Sequence, residues 1–171
     1  NVTNALRLVA GTRLDDHSIF GQNWSPRAGL VYKKSPKTTL KLLYGTAFRS
    51  PSMAETETVD NPNELYPESI NTTELVWDQQ VGDSGRLVTS LFGYDMYDVI
   101  RKGANRYHIR CRGFESQYDY RLKNGGSGYF GLSLLEANYT NTTRLLTSSP
   151  RCVVTWGKSM PTFGGKAFFT P

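Results

Sequence analysis

Three patches of the sequence hold residue types that could do chemistry. Asp15, Asp16 and His17 stand in a row as "DDH", an oxygen and nitrogen donor set of the kind that holds a divalent metal. Three neighbours in one loop are an incomplete ligand set, so no metal is expected there. Glu55, Glu57, Asp60, Glu64 and Glu68 form an acidic run that could gather cations or close over a ligand. A run of this kind is more often a solvated face. Cys111 and Cys152 lie far apart without C-x-x-C spacing, which removes zinc and thioredoxin-type chemistry and leaves two separate thiols or one disulfide. His108 has no partner nearby in sequence, and G-x-S-x-G, H-E-x-x-H and P-loop patterns are absent. No catalytic residue and no cofactor is expected, and the chain does not read as an enzyme.

The totals narrow the class. A chain of 171 residues can build one ordinary domain. The hydrophobic fraction of 38%, a mean hydropathy of -0.46 and the lack of any run of about 18 apolar residues exclude a helical membrane bundle. They do not exclude a barrel, because only alternate residues of a barrel strand face lipid. An aromatic content of 12%, with ten Tyr and 16 Gly, suits strands separated by tight turns. A net charge of +5 and a pI near 9.2 invite a nucleic-acid reading. The basic residues are scattered through alternating segments without a cluster, so nucleic acid is set aside as a partner.

Alternation supplies the elements. "ALRLVAGTRLD" puts Leu6, Leu8, Ala10, Thr12 and Leu14 on one face and Arg7, Val9, Gly11 and Arg13 on the other. "PRAGLVYK" repeats the scheme, and "LKLLYGTAF" sets Leu40, Leu42, Tyr44 and Phe48 against Lys41, Gly45 and Ala47. "TTELVWDQQ", "RGFESQYDYRL", "YFGLSLLEA", "RCVVTWGKSM" and "AFFTP" read as further strands. "RLVTSLFGYDMYDVI" reads as a long strand whose facing is not assigned, since both faces hold apolar residues. About nine strands result. Short turns ("KSPKT", "VGDSG", "KNGGS", "TFGGK") alternate with longer connections ("DHSIFGQNW", "RSPSMAETETVDNPNELYPES", "RKGANRY", "NYTNTTRLLTSSP"). That order predicts an all-β, up-and-down antiparallel transmembrane barrel segment with short periplasmic turns and longer extracellular loops. About ten residues at roughly 3.3 Å each, tilted about 45°, span on the order of 23 Å, close to the apolar band of an outer membrane.

"WSPRAGLVYKKSPKTTLKLLYGTAFRSPS" followed by "NPNELYPESINTTELVWDQ" resembles the mid-barrel region of TonB-dependent outer-membrane receptors. The later segments "RGFESQYDYRL" and "SPRCVVTWGKSMPTFGGKA" resemble later strands of the same family. The resemblance implies a 22-stranded barrel around a plug domain, in the outer membrane of a Gram-negative bacterium, importing a scarce nutrient, above all a ferric siderophore or similar metal chelate. It implies as partners outer-membrane lipid, the rest of the barrel and its plug, the TonB energy-coupling protein and the metal-chelate ligand. No plug segment, coupling box, signal peptide or C-terminal closing strand is found, so residues 1–171 are expected to be part of the barrel and not transport-competent alone. A complete small outer-membrane barrel with a structural or adhesive role, and a soluble β-rich binding domain, stand as alternatives. On the resemblance, Arg7, Arg13, Arg27, Lys41, Arg49, Glu115, Asp119 and Arg121 face the lumen and contact ligand or plug. Mutual pairing between adjacent strands is the other reading, and for Arg49 a contact with a neighbouring loop carboxylate.

Overall fold

The computed structural model describes residues 5–57, 65–140, 150–161 and 168–169. The described residues form β1 (Leu6–His17), β2 (Gly21–Ser35), β3 (Thr38–Arg49), a single helical turn α1 (Met53–Thr56), β4 (Glu68–Val81), β5 (Gly85–Ile100), β6 (Asn105–Arg121), β7 (Ser127–Tyr139), β8 (Cys152–Pro161) and the short β9 (Phe168–Phe169). Each strand pairs antiparallel with its neighbours in sequence, in the order β1 to β9, which makes one open meander. The number of strands and the up-and-down order are those that the alternation predicts.

The strands are longer than the apolar alternation alone suggests. β6 has 17 residues and β5 has 16. At about 3.3 Å per residue and a tilt of about 45°, a strand of that length rises roughly 40 Å, well beyond a ~25 Å apolar band. On β6 the extra length is the polar-rich "NRYHIR". Two connections expected to be long are therefore short turns. Asp15 and Asp16 pair with Asn23 and Gln22, and the chain reverses within Ser18–Phe20. His17 Nδ1 accepts the Ile19 and Phe20 N–H groups at 3.2 and 3.4 Å, and Gly21 supplies the left-handed φ of 68° that the reversal requires. Likewise β5 and β6 are joined by 101–104 only, because Asn105 and the residues after it are already strand.

The long connections 50–67 and 140–151 lie at one end of the sheet, here the loop end. At the opposite, turn end, β2 joins β3 through Pro36–Lys37, β4 joins β5 through Gly82–Ser84, and β6 joins β7 through Leu122–Gly126. The turn around Gly164, and Asp60 and Glu64 of the acidic run, lie outside the described residues.

Register decides the two faces. Leu8, Leu30, Leu42, Leu75, Leu91, Phe114 and Leu134 pair in one unbroken row from β1 to β7. Most of this row is exposed, Leu91 by 54%. A neighbouring row at the turn end adds Tyr118, Phe130 and Trp156. On the other face Glu68, Val76, Ser90, Gly131 and Ala137 are buried. Arg86, Val88, Ser90, Phe92 and Tyr94 of β5 belong to this second face, which assigns the strand that alternation left open. A sheet that exposes leucines and shelters Ser and Glu reverses the preference of a soluble domain.

The apolar band is also oblique. On β1 and β2 it reaches Leu14 and Trp24, close to the loop end, whereas on β7 it stops at Leu134, with Glu136 and Asn138 beyond. Strands tilted to a membrane normal require this drift, because a hydrogen-bonded row then climbs relative to the bilayer.

Candidate functional site

All eight charged residues singled out above share the sheltered face. Arg7 lies opposite Val31, Arg13 opposite Ser25, and Arg27 between Gly11 and Gly45. Lys41 lies opposite Val76, Arg49 opposite Glu68, Glu115 between Ser90 and Ser133, Asp119 between Arg86 and Tyr129, and Arg121 opposite Ser127. Strand alternation alone achieves this, since residues two apart point the same way.

They do not form one cluster. Near the turn end, Arg86 grips Asp78 with Nε at 2.9 Å and a terminal nitrogen at 2.7 Å, and Lys41 Nζ stands 3.7 Å from the same carboxylate. Glu115 accepts the Ser133 hydroxyl at 3.1 Å, and Asp119 accepts Gln117 Nε2 at 2.9 Å. Of these, Arg86, Glu115, Gln117, Asp119 and Ser133 line a hollow of about 530 Å³ together with Val88 and Thr155. Arg13 pairs with Asp15 two residues on. Among the described residues, Arg7, Arg27 and Arg121 make no side-chain ion pair. Local pairing thus holds for Lys41, Arg13 and Arg49, while Arg7, Arg27 and Arg121 have no ion-pair partner among the described residues.

Arg49 is the best-held residue of the set. Its Nε donates to Glu68 Oε2 at 2.9 Å, and its two terminal nitrogens donate to Glu55 at 2.8 and 2.9 Å. Glu55 also accepts the Ser52 backbone N–H and hydroxyl, both at 2.8 Å, the reach-back half of a capping box on α1. The Arg49 hydrogen bonds, followed by that of Ser52 N–H, hold the Glu55 carboxyl down to about 2. Glu68, only 8% exposed, accepts the Ile100 N–H at 2.7 Å with its other oxygen. Asn105 completes the joint: it accepts the Tyr66 N–H and donates to the Tyr66 carbonyl, each at 2.9 Å. The long loop is therefore clamped at both its ends and to the β5–β6 turn. Two acids of the run, Glu55 and Glu68, are clamp members and not a solvated face, a correction that sequence spacing could not supply because it does not show what Arg49 meets.

The remaining chemical candidates separate. Alternation sends Asp16 to the face opposite Asp15 and His17. Cys111 is buried on the sheltered face, 2% exposed, and Cys152 is exposed in the register row of Leu134 on the outer one, both as free thiols. His108 does have a partner, missed because its neighbour comes from another strand: Nε2 lies 3.0 Å from Asp95, which also accepts Arg110 Nε at 2.7 Å, and the His108 ring stacks on Tyr97.

An open, strictly sequential sheet with an exposed apolar band, a charged sheltered face and long loops at one end is the wall of a barrel. The family described as "TonB dependent receptor-like, beta-barrel" matches residues 1–168. This chain belongs to that family. The receptor barrel chain is 40% identical over 52 residues to a protein of Acinetobacter baumannii named "Probable TonB-dependent siderophore receptor PirA", covering 30% of this chain and 7% of that protein. It is 36% identical over 62 residues to the ferrienterobactin receptor of Escherichia coli K12, covering 36% of this chain and 8% of that receptor. Two solved structures share its fold. One is FpvAI in complex with pyocin S2, with TM-score 0.75 and 14% identity over 96% of this chain. The other is the FrpB iron transporter of Neisseria meningitidis, with TM-score 0.67 and 18% identity over 92% of this chain. The receptor chain spans only about a quarter of those structures, 25% and 27%.

The motif halves that mark this receptor barrel, "AFRSP" and "LYPES", are the two sides of the clamp, since Arg49 comes from the first and Glu68 from the second.

Proposed function

We propose that this chain is wall and mouth of an outer-membrane receptor in a Gram-negative bacterium that imports a scarce nutrient, a ferric siderophore or similar metal chelate, with energy from the TonB protein. The observation that carries the reading is the inverted pair of faces, an exposed leucine row on one side and the charged residues on the sheltered other, which in this reading meet lipid and lumen respectively. Family membership supports it, and so do the relatives, a siderophore receptor, a ferrienterobactin receptor and an iron transporter by name.

In this reading the loop end is extracellular. Arg7, Arg27 and Arg121, unpaired among the described residues, offer charge to the plug or to an anionic chelate, whereas Arg49 holds the entrance loop in place. Residues 1–171 are a partial barrel domain that works with the remaining strands, the plug and the TonB protein.

The test uses the intact receptor carrying this chain. Uptake of radiolabelled ferric siderophores should require both the receptor and a functional TonB protein. Uptake that is unchanged in a receptor-deleted strain under iron starvation, across a panel of catecholate, hydroxamate and mixed chelates, would overturn the siderophore assignment.

A further inference from the structure

The tip of the β5–β6 hairpin stands between the two long connections, with 50–67 on its β4 side and 140–151 on its β7 side. Regular pairing ends just short of that tip. β4 and β5 last pair at Ser69 and Tyr97, and the β5–β6 register shifts after Met96, where Asp98 takes a left-handed φ of 56°. From there side chains replace the ladder.

On the β4 side Glu68 accepts the Ile100 N–H, and the Asn105 carboxamide imitates a strand partner for Tyr66 by meeting both its N–H and its carbonyl. The same Asn105 Nδ2 donates to the Asp98 carbonyl, so one side chain holds the bulge and the returning loop together. Leu65 and Ile100, next to these groups in sequence, are both buried.

On the β7 side Arg101 donates to the Tyr139 hydroxyl at 3.2 Å, and its guanidinium lies 5.9 Å from the centre of the Tyr107 ring. Tyr107 and Tyr139 stand ring to ring at 5.1 Å. Thr140 N–H donates to the His108 carbonyl at 2.9 Å. Arg101, which reaches toward β7, directly follows Ile100, which Glu68 holds, and its own N–H closes the turn on the Ala104 carbonyl at 3.0 Å. The tip is thus tied on both sides by residues that are neighbours in the chain.

We infer that this tip is a coupler, through which a displacement at the root of one long connection is passed to the root of the other. Side-chain joints can part without unzipping any strand pair, which is what a joint that moves within a fixed wall requires. The coupling stands on these contacts. Its use, letting cargo met by one connection reposition the other, rests on the reading of the loop end as a receptor's mouth.

Hydrogen exchange of the intact receptor in nanodiscs, resolved to single amides and run without cargo, tests the coupling apart from that reading. Arg101→Gln removes the contacts to β7 and should speed exchange of the Tyr66 N–H, on the other side of the tip, by about twofold or more. Asn105→Ala should do the same to the Thr140 N–H, because coupling between two places acts in both directions. Once Arg101→Gln has cut the tip, adding Asn105→Ala should no longer alter Thr140. Changes confined to the side that carries the substitution overturn the inference. So does a rise shared in equal measure by the mid-strand Leu91 N–H, which marks a loosened sheet. Tyr139→Phe deletes only a hydroxyl, and an unchanged Tyr66 rate in that variant overturns the inference even where the larger substitutions fail to fold.

Discussion

Arg49 and Glu68 stand 19 positions apart and meet at 2.9 Å where β3 ends and β4 begins, so the ion pair closes the long loop at its base. Removing the buried partner tests how much that closure matters. Glu68→Gln keeps the shape but not the charge. A hydrogen bond to a charged group contributes about 1.5–3 kcal/mol, reduced here to about 1–2 kcal/mol because the Arg49 side chain is half exposed. Glu68→Leu should destabilise more, since it also strands the Ile100 N–H. Proteolysis within 50–67 and urea midpoints of the intact receptor should rank native, Gln and Leu in that order. Equal cleavage in all three would show that the clamp does not hold the loop.

Acid should loosen the same joint from its other side. Glu55 has an ordinary value of 4.5 and is held down to about 2 in the fold. A depressed carboxyl contributes its stability in full above its unfolded value, so the contact is intact above about pH 4.5 and is lost as pH falls through about 2. Hydrogen exchange of the Ser52 and Glu55 amides should follow that window. In Glu55→Gln the amides should exchange faster at neutral pH and should lose the added acid dependence.

The two faces should respond oppositely to charge. Leu42 lies in the exposed row, and Leu42→Arg should destabilise the receptor in vesicles by roughly 2–4 kcal/mol if that row is at mid-bilayer. Ser133 on the sheltered face neighbours Glu115, so Ser133→Arg gains a counter-charge and should stay within about 1 kcal/mol of native. Urea titration of folding into vesicles measures both. Equal losses would remove the assignment of faces.

Phe92 fills the space that Gly113 leaves open on the next strand: a Cβ on Gly113 would run into the Phe92 ring. Gly113→Ala should therefore destabilise by about 1–3 kcal/mol through overpacking. Combining it with Phe92→Leu should recover part of that loss. A double variant no better than the sum of the single ones would mean that the two side chains do not compete for the same space.

The wall was legible because alternation is a property of single strands. "LKLLYGTAF" and "RGFESQYDYRL" announce their facing without reference to any neighbour, and the order of turns then dictates the meander. "RLVTSLFGYDMYDVI" did not, because Phe92 is large, apolar and turned inward, and only its pairing with Gly113 explains why. Polar strand ends were hidden for a related reason. "DDH" and the "RYHIR" half of β6 carry no apolar alternation, yet they are held in the ladder by backbone pairing with Gln22, Asn23 and β5. The clamp was half legible. Arg49 could be expected to meet a carboxylate, but which of five acids it meets depends on how the loop returns to the sheet.

The strictly sequential pairing has a consequence for how such walls change over generations. Among the described residues each strand is hydrogen-bonded to the strands before and after it in sequence, and the turn-end connections are short. A duplicated or deleted hairpin would leave every other pairing unchanged and alter only the circumference. Barrel girth is then an inheritable count of repeated modules, open to change in steps of two strands without redesign of any existing contact.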